Sequence, residues 1–214
     1  VSRWLLVAAM GVESLPFVRR LDRPRPLGPR LVVGRLGGHE VAVLTVGVGP
    51  DKAARRTRDA LVGWTPDAVM SVGTCGALVA GLSIGDVRAA DRLLADTRPV
   101  ARLTGLGGLP RATVTTVSRA CWTLEERDRL AAAGAQLVEM EAAAVWRAAQ
   151  TGAPDVPFHA LKVVSDHAGG APDPAISDPG RPGAAAIARF KARALRLVER
   201  SLVPAVCAAL QTAG

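Results

Sequence analysis

The sequence predicts an α/β fold, a single domain over residues 1–214 with a mixed central β-sheet flanked by helices. Three observations carry that expectation. Apolar runs of strand length alternate with segments of helical character along most of the chain, which argues for helices layered on one sheet. Two of the runs, Leu31 to Leu36 and Val41 to Val46, are joined by Gly37-Gly38-His39-Glu40. Such a hairpin makes the sheet mixed rather than purely parallel. Finally, 49% of the 214 residues are hydrophobic, enough for a sizeable core and too much for a disordered chain. With 3 Phe, 4 Trp and 0 Tyr, that core must be built mostly from Ala, Val and Leu.

Each element has a local reason. Trp4 to Ala9 is a continuous apolar run and reads as a buried strand. The apolar stretch ends by Val12, short of the roughly 20 residues a bilayer span needs, and Glu13 follows at once. A buried strand is therefore expected instead of a signal segment. Gly11 and Ser14 lead into a short helix ending near Arg20, and Asp22 to Arg30, with Pro24, Pro26 and Pro29, reads as a loop. Lys52 to Val62 is helical, and Ala68 to Val72 is a strand running into Gly73-Thr74-Cys75-Gly76. Val87 to Leu94 is a strand, Asp96 to Pro110 a loop, and Ala112 to Val117 a short strand.

Thr123 has the chemistry of a helix N-cap, with Glu125 and Glu126 in the first turn of a helix that reaches about Ala133. Leu137-Val138 is a short strand, Ala142 to Gln150 a helix, and Phe158 to Val164 a strand. Gly169 to Gly183 reads as a loop or lid, and Ala184 to about Ala209 as a long helix kinked or broken at Pro204.

The formal charge of +8 suggests a nucleic-acid or membrane partner at first sight. Its distribution argues against both. Nearly all of it is arginine scattered along the chain, and no Tyr/Phe platform accompanies it for base stacking. Cys75, Cys121 and Cys207 are odd in number and lack CxxC spacing, so neither a disulfide framework nor a zinc site is indicated. A reducing, cytoplasmic compartment is the expectation. His39, His159 and His167 lack ligand spacing, so no metal or organic cofactor is expected.

Ligands of open α/β sheets bind at the carboxyl ends of strands. Four such ends carry polar groups: Met10-Gly11-Val12-Glu13, Gly73-Thr74-Cys75-Gly76, Glu139-Met140-Glu141 and Ser165-Asp166. The two acids around Met140 fit a helix start that complements the dipole, and equally a pair of acceptors for a sugar diol. Asp166 fits a turn or cap. It also fits a general acid, because an acid at the end of a buried strand is partly desolvated, and desolvation disfavours the charged form of a carboxyl. Glu13 fits a first-turn acid. The Gly73 to Gly76 segment offers backbone N–H groups and one hydroxyl to a ligand.

Taken in order, these segments resemble the nucleoside phosphorylase/nucleosidase superfamily, and most of all its methylthioadenosine/S-adenosylhomocysteine nucleosidase branch. The resemblance runs through Gly47-Val48-Gly49, Gly73-Thr74-Cys75-Gly76, Gly85-Asp86-Val87, Val138-Glu139-Met140-Glu141-Ala142 and Val164-Ser165-Asp166. It implies a three-layer sandwich fold and cleavage of a purine nucleoside, in a homodimer without a cofactor. It implies that Glu13 activates the attacking water and that Asp166, oriented by Ser165, protonates the purine at N7. Glu141 would hold the ribose hydroxyls, with Met140 packed on the sugar and Glu139 in support. Thr74 would lie near the water and the ribose, and Trp122 would stack on the base. Phosphorolytic relatives carry a Gly-Asp-Pro loop with Arg after the first strand and a second Arg where this sequence has Ser71, so the resemblance favours water over phosphate as nucleophile. A phosphorolytic enzyme and a nucleoside-binding protein without chemistry are the alternatives.

Overall fold

The computed structural model describes residues 1–104, 106, 108–121, 123–167 and 183–212. The lid expected at Gly169 to Gly183 thus falls almost wholly outside the described residues, and Trp122 does too.

β1 (Arg3–Ala8) is apolar on both faces and occupies the middle of the sheet, pairing in parallel with β4 (His39–Thr45) and β5 (Ala68–Ala77). β5 in turn pairs in parallel with β10 (Phe158–Asp166). The run β4-β1-β5-β10 therefore points four carboxyl ends the same way. Buried on both faces, such strands have no alternation to show, which is why they read as continuous apolar runs.

β3 (Leu31–Leu36) joins β4 through the expected hairpin. Outside it lies β2 (Asp22–Gly28), where a loop was expected. β2 is exposed throughout and forms the edge of the sheet, where a proline's missing N–H costs no ladder bond. β7 (Arg98–Arg102) is a second correction of the same kind: it lies within the expected loop 96–110 and pairs only with β6 (Val87–Ala95).

The other side of the sheet curls back on itself. β6 pairs with β10 and with β8 (Arg111–Thr116), β8 pairs with β9 (Leu137–Glu139), and β9 pairs with the far end of β5. β5 achieves this by changing partner: it lies beside β1 as far as Ser71 and beside β9 at Gly76 and Ala77. A gap opens where β1 and β5 part, and the site described below lies in it.

Helices cover both faces. α2 (Pro50–Gly63) and α4 (Ala142–Gly152) pack on each other, and Ala53, Leu61, Val145 and Ala149 join one buried cluster with the sheet. On the opposite face, Phe17 of α1 (Gly11–Val18) belongs to one buried cluster with Leu202, Val206 and Leu210. This is the three-layer arrangement. The C-terminal helix is continuous in course but not in winding. α5 (Ala184–Leu197) passes through a π turn at Val198–Leu202 into α6 (Val203–Thr212), with Val203 N–H bonded to the Val198 carbonyl. The widened turn lies immediately before Pro204, which has no N–H to continue the α-helical ladder.

Candidate active site

Glu13 sits in the first turn of α1, just past the end of β1, and its carboxylate is buried. Oε2 accepts from the Met10 backbone N–H at 3.0 Å, which caps the helix. Oε1 accepts from the Thr74 N–H and the Thr74 hydroxyl, both at 2.8 Å. The backbone donor that the glycine segment was expected to offer a ligand is thus bonded to Glu13. Gly73 makes this approach possible. Its φ is +150°, and a Cβ there would lie 2.9 Å from Glu13 Oε1. Gly76 has the same relation to the other acid, since a Cβ would lie 2.9 Å from Asp166 Oδ2.

Glu139 ends β9 and is bonded entirely within the protein. Its carboxylate accepts from the N–H groups of Glu141 and Ala142 at the start of α4, at 2.9–3.1 Å. The Thr116 hydroxyl also donates to it. It further pairs with Lys162 Nζ at 2.9 Å, with both side chains buried. Lys162 also donates to Ser71 Oγ at 3.1 Å. Burial alone would depress the Lys162 ammonium, but Glu139, Glu141 and Glu13 outweigh it and hold its pKa above the ordinary value.

Glu141, the next carboxylate along, accepts from the Gly49 N–H at 2.8 Å. Burial and then the negative charge of Glu139 push its pKa up to about 8, against the pull of Lys162 and the Gly49 bond. One small cavity is lined by Glu13, Ser71, Gly73, Thr74, Glu141 and Lys162, together with the ends of β1 and β4. A larger cleft of about 500 Å³, bordered by Arg98, Arg119, Arg129 and Arg147, holds none of these carboxylates. Glu13 and Glu141 line the smaller one.

Asp166 ends β10 opposite Gly76. Ser165 Oγ lies 2.8 Å from its Oδ1 and 3.1 Å from the Cys75 carbonyl, and its single proton serves one of them at a time. Oδ2 accepts from Arg127 at 3.3 Å. With 38% of its side chain exposed, Asp166 is half-buried at the end of its strand. Met140 is half-buried between the two glutamates.

Two residues of this site escaped the sequence reading. Lys162 is hidden in an apolar strand run, yet a lysine among strand residues buried on both faces must find an anion. Arg127 reaches Asp166 from α3 (Leu124–Ala132), across 39 positions that no spacing argument bridges.

The model of the phosphorylase superfamily matches residues 4–113 of this chain, from β1 into β8. The chain belongs to the phosphorylase superfamily. A 5'-methylthioadenosine/S-adenosylhomocysteine nucleosidase of Shewanella pealeana is 31% identical over 85 residues, 38% of this chain and 37% of that protein. One from Listeria monocytogenes is 35% identical over 66 residues, 31% of this chain and 28% of that protein. The matched stretches thus span less than two fifths of the curated relatives' length. In fold the likeness extends over nearly the whole chain. The S-adenosylhomocysteine nucleosidase from Streptococcus pyogenes in complex with 5-methylthiotubericidin superposes with a TM-score of 0.77, covering 99% of this chain and 97% of that one, at 21% identity. The superfamily match includes Glu13 and the Gly73 to Gly76 segment, whereas Glu139, Glu141 and Asp166 lie beyond it.

Proposed function

We propose that this superfamily member is an N-ribosyl hydrolase that releases the base from a purine nucleoside. The observation that carries the proposal is the shared cavity. Glu13, Glu141 and Lys162 line it with Ser71 and Thr74, at the point where β5 leaves β1. Cleaving the N-glycosidic bond builds positive, oxocarbenium character on the ribose and negative charge on the base. Carboxylates beside the sugar stabilise the first, and an acid at the base relieves the second.

In this reading Glu141 accepts the ribose hydroxyls, Met140 packs on the sugar, and Glu139 holds Glu141 and Lys162 in place. Glu13, with Thr74 on its carboxylate, takes a proton from water as the water oxygen bonds to the anomeric carbon. The carbon–nitrogen bond breaks, its electron pair goes to the purine, and Asp166, oriented by Ser165, delivers a proton to N7. Trp122 stacks on the base. The homodimer implied by the resemblance belongs to the same proposal.

Charge supports water over phosphate. Among the described residues Lys162 is the one cation lining the cavity, and it is already paired with Glu139 and faces Glu13 and Glu141. An incoming phosphate dianion would meet more negative charge than positive. The test is product analysis with purine nucleosides in the presence and absence of phosphate. Free ribose sugar formed without phosphate is the expected result. Strict phosphate dependence with a ribose 1-phosphate product would move the protein to phosphorolysis. Tight nucleoside binding with no base release would make it a binding protein.

A further inference from the structure

Arg127 lies in the second turn of α3, and its guanidinium is turned inward, with 18% of the side chain exposed. One arm donates to the His167 carbonyl at 2.6 Å and the other to Asp166 Oδ2 at 3.3 Å. A fixed cation therefore spans from the His167 carbonyl to the carboxylate that the reading above assigns to purine N7. Nothing in the cleavage chemistry requires it there.

The edge of a purine shows what it could meet. N7 and the substituent on C6 are neighbours on one edge. In adenine the substituent is an amino donor, and in guanine or hypoxanthine it is a carbonyl acceptor. A guanidinium carries five donors and no acceptor. With N7 at Asp166, a 6-amino group beside Arg127 would set donor against donor, whereas a 6-oxo group would accept from it. The leaving base also gains negative charge, and a 6-oxopurine places part of it on that oxygen, where a positive donor stabilises it.

We infer that the nucleoside cleaved here carries a 6-oxopurine base, with Arg127 reading the 6-carbonyl beside Asp166. The inference rests on the hydrolase reading and narrows its substrate class. Atoms balance as before: water and the nucleoside give free ribose sugar and a neutral 6-oxopurine, and Arg127 keeps its protons throughout.

The experiment compares inosine with adenosine, and their 5′-methylthio derivatives as a second matched pair, on the wild-type protein and on Arg127→Met. The wild type should favour the 6-oxo member of each pair by about tenfold or more in kcat/KM, the scale of one polar pair at a partly exposed site. Arg127→Met should lose most of that preference by slowing the 6-oxo substrate, and Arg127→Lys should keep part of it. A wild type that favours the 6-amino substrates overturns the inference. So does an Arg127→Met protein that is equally slowed on both. If neither pair releases base, the hydrolase reading fails, and base preference is then read by calorimetry with free hypoxanthine and adenine. Tighter hypoxanthine supports the role of Arg127, and equal or tighter adenine removes it.

Discussion

Lys162 is the residue on which the site's electrostatics turn. Three carboxylates, Glu13, Glu139 and Glu141, act on one buried ammonium, and only Glu139 contacts it directly. Removing one partner of a buried pair leaves the other charge uncompensated, which typically costs about 3–5 kcal/mol. Lys162→Met should therefore lower stability by about 3 kcal/mol, toward the low end because Glu139 keeps its backbone and Thr116 donors. Adding Glu139→Gln to that variant should recover part of the loss, since the stranded charge is then gone. Urea titration of the wild type, Lys162→Met and the double variant checks both. Wild-type stability in Lys162→Met would show that the pair contributes nothing to the fold. At this scale Glu13, Glu139, Glu141 and Asp166 could be singled out because they follow apolar runs, Glu139 and Glu141 as a pair around Met140. Lys162 was passed over because a strand pattern registers its apolar neighbours and treats a single charge as noise.

Elements were legible in proportion to their burial. β1, β5 and β10 are covered on both faces and show as apolar runs, and the β3–β4 hairpin is marked by its glycines. β2 and β7 are edge strands with Pro24, Pro26 and Pro99, so neither periodicity nor composition separates them from loops. α3 was legible from its cap, and the structure bears this out. Thr123 accepts from the Glu126 N–H at 3.1 Å, and Glu126 reaches back to the Thr123 N–H. Thr123→Ala should cost about 1 kcal/mol. The consequence should be local, because the cap anchors the turns that carry Arg127. We expect faster amide exchange at the start of α3, measured by hydrogen–deuterium exchange, with the core strands unchanged. Uniform protection across α3 in the variant would show that packing alone holds the helix.

At the scale of the whole molecule, the partner exchange of β5 was not legible at all, because it depends on pairings between distant segments. That exchange creates the cavity, and the cavity determines how the protein must respond to pH. The chain is basic overall, at +8, yet its site gathers more carboxylates than cations. Glu141 sits there with a pKa raised from 4.5 to about 8, burial being the main cause and Glu139 the second. Across that interval the folded protein holds a proton that the unfolded chain has released. The contribution of Glu141 to stability is therefore complete below about pH 4.5, declines as pH rises, and is gone above about 8. The limiting slope for one proton is about 1.4 kcal/mol per pH unit. A carboxylate needed to accept ribose hydroxyls would be charged only at the upper end of the same window, so stability and sugar binding should move in opposite directions with pH. Glu141→Gln removes the titration while preserving shape. Chemical denaturation between pH 5.5 and 8.5 should show the wild type losing stability relative to the variant as pH rises. Nucleoside affinity should strengthen over the same range in the wild type alone. Parallel stability profiles would mean that Glu141 is ionised throughout and that the neighbouring donors compensate its burial.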